Sequence, residues 1–326
     1  QNIGFRKASI RALGDENLQS ALDNARGGFV QKRQAAIDAL PEFDALKQRA
    51  LEVKNHTLEH LGHYLEIFEQ SVIAAGGQVH WAKDTEEANR IVLKICSQAK
   101  ARKVTKGKSM ISEEMHLNAA LEKAGLEVIE TDLGEYIIQL AGETPSHIIA
   151  PAVHKTRTQV EQLFDRFHPD QLPEGRSREE LVGEARKRLR DAFLSADVGI
   201  TGANFLVADT GSTVLVTNEG NGDLTASLPK VHIVTASIDK VIPRLEDLPT
   251  FLRLLGRSAT GQELTTYTTL FTGPRKAGEQ HGPEAFHVVL LDNGRSGMLG
   301  TPFQDALRCI RCGACMNHCA VYGAVG

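Results

Sequence analysis

No stretch of the 326-residue chain is long and apolar enough to cross a bilayer as a helix, which excludes a helical membrane span. The first residues, Gln1-Asn2-Ile3-Gly4-Phe5-Arg6-Lys7, lack both an apolar core and an initiating Met, so this end reads as trimmed or processed and not as a secretory signal. Neither sign of charge dominates. A net charge of −4 with 24% charged residues gives no basic footprint for nucleic acid and no acidic tail. Nucleotide motifs are missing as well. Gly107-Lys108-Ser109 resembles the end of a phosphate-binding loop, but Arg102 stands where that motif requires its first glycine. Gly220-Asn221-Gly222 is followed by Thr225 where a dinucleotide fingerprint has its third glycine, and no flavin or nicotinamide motif is present. Cysteine is scarce too, with five in all. Cys96 lies in an apolar helical run with Ala88, Ile91, Val92 and Ile95, where a small buried hydrophobe is expected.

The other four cysteines stand together as Cys309-Ile-Arg-Cys312-Gly-Ala-Cys315-Met-Asn-His-Cys319. The spacing C-x2-C-x2-C-x3-C is that of the bacterial ferredoxin run. Two-residue gaps let one tight backbone turn present three thiolates to three corners of a [4Fe–4S] cluster, and Gly313 and Ala314 keep bulk away from the sulfides. In two-cluster ferredoxins the fourth cysteine serves the other cluster, so Cys309, Cys312 and Cys315 are expected on one cluster and Cys319 on a second. The chain reaches Gly326 just where such a segment should continue toward complementary cysteines, so it reads as a piece of a longer protein. Zinc sites usually pair two C-x2-C units across a longer gap, and disulfides need an oxidising compartment. Clustered thiols without an export signal point to the cytosol, with any membrane association arising through partners. Ala320 replaces the proline that normally follows the fourth cysteine, which loosens the local turn without removing a ligand.

Helical periodicity predicts helices over 16–39 and 43–75, the latter closed by Gly76-Gly77, as an N-terminal helical layer (1–75). His56-Thr-Leu-Glu59-His60 matches an inverted zinc-peptidase pattern, with His63 one turn on. Leu58, Leu61, Leu65 and Phe68 run beside it as a core stripe, so packing is the expected role of these histidines.

From residue 76, short β-like segments alternate with capped helices, the pattern of an α/β domain with a parallel sheet (76–300). Strands are expected at 79–81, 104–105, 126–130, 147–150, 197–201, 231–235, 264–271 and 287–291, with a hairpin over 204–217 turning at Asp209-Thr-Gly-Ser212. Helices should open at Asp84, Ser112 and Ser177, the first and last with Glu87 and Glu180 in capping-box positions, and another should run from Pro249 to Leu255, ended by Gly256. The segment 170–175 reads as a surface connection, and Arg186-Lys-Arg-Leu-Arg190 as a solvated face. Lys106, Lys108 and Ser109, at a strand end before a helix, are candidate anion ligands, Asp132 and Glu135 lie in the next loop, and Asn218 and Asn221 flank a glycine turn in which Glu219 is a candidate carboxylate. Thr301-Pro-Phe-Gln304 should cap a short helix leading into the cysteine segment (301–326).

Together Lys108-Ser109-Met110, the run from Glu130 through Glu135 to Gln139, Pro145-Ser146-His147, Thr201-Gly-Ala-Asn-Phe205, Thr217-Asn-Glu-Gly-Asn221, Asp292-Asn-Gly-Arg295 and the cysteine run resemble the lactate utilisation protein B family along essentially the whole chain. Gly107, where the family tends to have serine, and Ala320 depart from it. The resemblance implies a lactate-utilisation (LUD) domain of the NagB/RpiA/CoA-transferase-like α/β fold, an open sheet with helices on both faces. It also implies a helical ferredoxin segment with two [4Fe–4S] clusters in the full-length protein. The implied role is the iron–sulfur electron-transfer subunit of a system oxidising L-lactate to pyruvate, with a cysteine-rich subunit, a LUD-only subunit and an electron acceptor as partners. Hydride removal is then expected on another component. Arg308 and Arg311 would either favour the more negative reduced cluster or face a partner. An alternative makes the LUD domain a CoA-transferase-like or small-anion-binding enzyme with Glu219 in its site.

Overall fold

The structure is a computed structural model that describes residues 4–169 and 172–326. Gln1–Ile3 and the start of the expected 170–175 connection lie outside the described residues. Six strands, β1 (Gln78–Ala82), β2 (Lys103–Lys106), β3 (Glu127–Glu130), β4 (Val198–Gly202), β7 (Val231–Ser237) and β10 (Ala285–Leu291), form one parallel sheet in the order β1-β10-β7-β4-β2-β3. Side chains alternate across it. Val104, Ile233 and Val289 join a core under the Thr85–Gln98 and Leu117–Lys123 helices, whereas Val234 and Val288 join one under Leu61–Ala74. Both faces are thus apolar and helix-covered, as a parallel sheet requires.

A second sheet, in the order β8-β5-β6-β9, is built from the hairpin β5 (Phe205–Val207) and β6 (Ser212–Thr217), with β8 (Val241–Ile242) and β9 (Tyr267–Phe271) on its flanks. The helices Glu16–Asp38 and Phe43–Glu59 cover it together with Leu248–Thr260 through Leu40, Phe43, Val53, Phe205, Phe251 and Leu254, and Ile310 and Cys312 pack against the same core. Three helices, Leu133–Ala141, Arg157–Phe167 and Arg178–Ser195, form a satellite cluster around Phe164 and Leu181. The capping box expected at Ser177 is present, whereas at Asp84 only half of it forms: Asp84 accepts the Glu87 N–H, and Glu87 Oε2 accepts the N–H of Lys83 in place of that of Asp84.

Five local expectations are corrected. The 43–75 helix is two helices, broken at His60, whose ψ of 31° leaves helical geometry. His56 Nε2 is bonded to Tyr64 Oη at 2.7 Å, a packing contact across that break. The 147–150 strand is absent because His147 Nδ1 accepts the N–H groups of Ile149 and Ala150, curling the run into a loop. Ser109, not Ser112, caps the helix Met110–Glu114, accepting the Ser112 N–H at 3.2 Å. Gly256 lies inside the Leu248–Thr260 helix, which stops at Gly261 with φ +76°. The helix expected after Thr301 is a short 3-10 turn, Gln304–Arg308.

Candidate functional site

Each parallel strand sends the chain out of the sheet at its carboxyl end, so the loops after β2, β3, β4 and β7 converge there. After β2, Gly107-Lys108-Ser109 turns into the next helix, and Ser109 Oγ lies 3.2 Å from Thr235 Oγ1 at the end of β7. After β3, Asp132 caps the Leu133–Ala141 helix by accepting the Glu135 N–H at 3.1 Å. A Cβ on Gly202, which ends β4, would sit 2.9 Å from Ser109 Oγ, so this close approach requires glycine. With the Asn218–Gly222 turn, these loops enclose a cavity of about 240 Å³ whose lining includes Lys108, Ser109, Asp132, Asn218, Glu219 and Asn221.

Lys106 and Glu135 are not part of that lining. Lys106 is fully buried, with Nζ 2.8 Å from Glu130 Oε1 and 3.3 Å from Glu113 Oε1. Burial opposes its charge, but Glu130 and Glu113 outweigh that and raise its pKa. Its ammonium is committed inside the protein, which replaces the expected anion-ligand role with a structural ion pair. Glu135 is buried beside the same cluster, and burial, then the charge of Glu130, pushes its pKa up to about 8. Glu113, Glu130 and Glu135 have carboxylate oxygens within 4.8 Å of one another, and the Lys106 ammonium bonds two of them.

In the cavity, Lys108 Nζ donates to the Ile149 carbonyl at 2.7 Å. Burial lowers its pKa against the pull of Asp132, Glu135 and Glu219. Glu219 is shifted upward by burial and by Asp132. The opposite wall holds residues that no motif marks: Thr235, and Lys240 from the short turn Ile238–Lys240. Lys240 Nζ donates to the Cys309 carbonyl at 3.1 Å, and Ile310 and Arg311 complete the wall. The cavity of the sheet and the cysteine segment therefore adjoin.

Left-handed backbone at Arg311 (φ +57°) and Gly313 (φ +75°) turns the cysteine loop sharply. The Arg311 N–H donates to Cys309 Sγ at 3.3 Å, and the Tyr322 N–H to Cys319 Sγ at 3.5 Å. Burial raises the Cys312 thiol, and Cys309 and Cys315 nearby raise it further. His147, stacked on Phe29, holds Asn317 Oδ1 at 2.9 Å and so anchors the turn between Cys315 and Cys319. All four cysteines are free thiols. Among the described residues no three cysteine sulfurs lie within 4.8 Å of one another, wider than the roughly 3.8 Å sulfur–sulfur edge of a tetrahedral zinc site built on 2.3 Å bonds. The donor set and the N–H groups aimed at sulfur fit an iron–sulfur cluster. Cys96 is buried and its thiol is pushed up to about 12, so it behaves as a small hydrophobe. Arg308 pairs with Asp305 and Asn55.

Comparison with known proteins finds relatives along the whole chain. The LUD domain family description matches residues 65–291. Lactate utilization protein B of Anoxybacillus flavithermus is 46% identical over 326 residues, spanning 99% of this chain and 68% of that protein. The protein of the same name from Bacillus subtilis is 44% identical over 323 residues, spanning 99% and 67%. The uncharacterized electron transport protein YkgF of Escherichia coli is 42% identical over 325 residues, spanning 100% and 68%. Among solved structures, a DUF162 family protein from Deinococcus radiodurans aligns with a TM-score of 0.40 at 14% identity, covering 71% of this chain and 98% of that one. No helix among the described residues is long and apolar enough to cross a membrane. By sequence along its whole length, with the domain match at its centre, the chain belongs to the lactate utilization protein B family.

Proposed function

We propose that the protein is the iron–sulfur electron-transfer subunit of a multi-protein system that oxidises L-lactate to pyruvate. The observation that supports this reading is the cysteine loop, with its C-x2-C-x2-C-x3-C spacing and its backbone N–H groups donated to Cys309 Sγ and Cys319 Sγ. Cys309, Cys312 and Cys315 would hold one [4Fe–4S] cluster, and Cys319 would contribute to a second. When bound, such a cluster supplies one-electron transfer at a potential set by burial and by hydrogen bonds to sulfur. The Arg311 N–H favours negative charge on Cys309 Sγ, and Lys240 fixes the Cys309 carbonyl. A cysteine-rich subunit, a LUD-only subunit and an electron acceptor are the partners this role requires. Anaerobically purified full-length protein is expected to carry iron and acid-labile sulfide, and Cys312→Ser to lose the iron of one cluster. An iron-free, colourless natural protein refutes the reading.

The position of Glu219 in the cavity favours a second reading, acyl transfer through a glutamyl thioester as in CoA transferases. Trapping of that thioester supports it, and normal growth on lactate with Glu219→Ala argues against it.

A further inference from the structure

Three cations line the cavity with hydrogen-bond donors to spare. Among the described residues the Arg311 guanidinium makes a single 4.0 Å approach, to Glu114. Lys108 Nζ has one hydrogen bond, to Ile149. Lys240 Nζ has the Cys309 carbonyl and a 3.8 Å approach to Asp239. Two carboxylates of the lining, Asp132 and Glu219, stand against these three. Asp132 is engaged as a helix cap, and the Glu219 side chain has no hydrogen bond among the described residues. Glu114 and Asp239, outside the lining, are the carboxylates that approach Arg311 and Lys240. A planar guanidinium suits a carboxylate, and the two resident carboxylates repel a dianion. The volume, about 240 Å³, suits a small molecule, and Ile148, Leu215 and Leu255 give it an apolar side.

From this arrangement we propose that the cavity binds a small monocarboxylate carrying a second hydrogen-bonding oxygen, and that its occupancy is linked to the redox state of the group held by Cys309 and Cys312. The linkage rests on the iron–sulfur reading, whereas the binding site does not. Lys240 lines the cavity and donates to the Cys309 carbonyl, so an anion beside it offsets the positive field it directs at Cys309 in the cysteine loop. An added electron makes that loop more negative, so the anion binds the reduced protein less tightly than the oxidised one. Linkage is reciprocal, and occupancy therefore lowers the reduction potential. A tenfold difference in affinity corresponds to about 59 mV for a one-electron couple.

The test uses the full-length, cluster-loaded protein under anaerobic conditions, with dithionite as reductant and pyruvate, acetate and inorganic phosphate as probes. Spectroscopically monitored potentiometry is expected to show a saturable fall in potential with pyruvate, a smaller fall with acetate and none with phosphate. Lys108→Met, remote in sequence from the cysteines, should weaken pyruvate binding at least tenfold with iron content unchanged. Arg311→Gln should do the same, with iron analysis confirming that its loop still loads. A potential unmoved by saturating pyruvate overturns the linkage, and an equal shift with phosphate overturns the carboxylate assignment. Calorimetric titration of pyruvate into Cys312→Ser separates the two layers. Binding retained there, with the natural protein found iron-free, removes the iron–sulfur reading and leaves the site standing; no binding to either protein overturns the site.

Discussion

Replacing Lys106 by methionine probes the pair at the end of β2. The Lys106 side chain has 0% of its surface exposed and Glu130 has 2%, so neither charge can turn to water when the other is removed. Glu130 Oε2 already lacks a hydrogen-bond partner, which leaves the carboxylate dependent on Lys106 and on Asn118, whose amide reaches Oε1 at 2.7 Å. Removing one member of a buried pair typically costs about 3–5 kcal/mol, because the survivor is left charged in a medium that does not solvate it. Lys106→Met should therefore lose about that much in urea-unfolding equilibria at neutral pH. Replacing both residues tests the cause: in Lys106→Met with Glu130→Gln the orphaned charge is gone, and most of the loss should be recovered. A single-variant loss below about 1 kcal/mol refutes the reasoning, as does a double variant no more stable than the single one.

His232 is fully buried, and burial pulls its pKa down to about 3 from 6.5. The unfolded chain takes up that proton below pH 6.5 and the folded protein only below about 3, so stability should fall as pH drops through this window, by up to about 1.4 kcal/mol per pH unit. His232→Gln should flatten the slope, and an unchanged slope in pH-dependent urea midpoints refutes this. Gly199→Ala would place a methyl carbon 1.8 Å from the Thr225 carbonyl oxygen, forcing β4 from the Asn221–Ser227 helix; a loss of about 3 kcal/mol or more is expected by thermal or urea unfolding. His147→Ala leaves Asn317 and the N–H groups of Ile149 and Ala150 without their partner, so iron should be lost faster to a chelator than from the natural protein while secondary structure by circular dichroism is unchanged.

The sharp turn of the cysteine segment was legible because its four thiols stand at short fixed spacings in one stretch, and local spacing is what a sequence displays most directly. The side-chain caps at Asp84 and Ser177 were legible for the same reason. Half of the cavity was visible as three separate loops, at Lys108, Asp132 and Glu219, but nothing local joins them. Their meeting depends on the strand order, which sets β2, β3, β4 and β7 side by side. Lys240 stayed hidden because a lysine in a three-residue turn carries no signal until the cysteine loop is laid over it. Lys106 misled because a lysine at a strand end looks available, and its burial is fixed by Glu113 and Glu130 arriving from two other segments. At 147–150 an apolar Ile-Ile pair imitated a strand, while the residue that decides the conformation, His147, competes for the very amides a ladder would need.

The edge of the large sheet has a consequence for how the protein is made. β1 pairs only with β10, about two hundred residues later, and Gln19 Nε2 donates to the Ala324 carbonyl near the other end of the chain. A ribosome releasing this polypeptide presents the amino-terminal helices and β1 long before their partners exist. Closure of so non-local a pairing should be slow, which leaves early segments to chaperones.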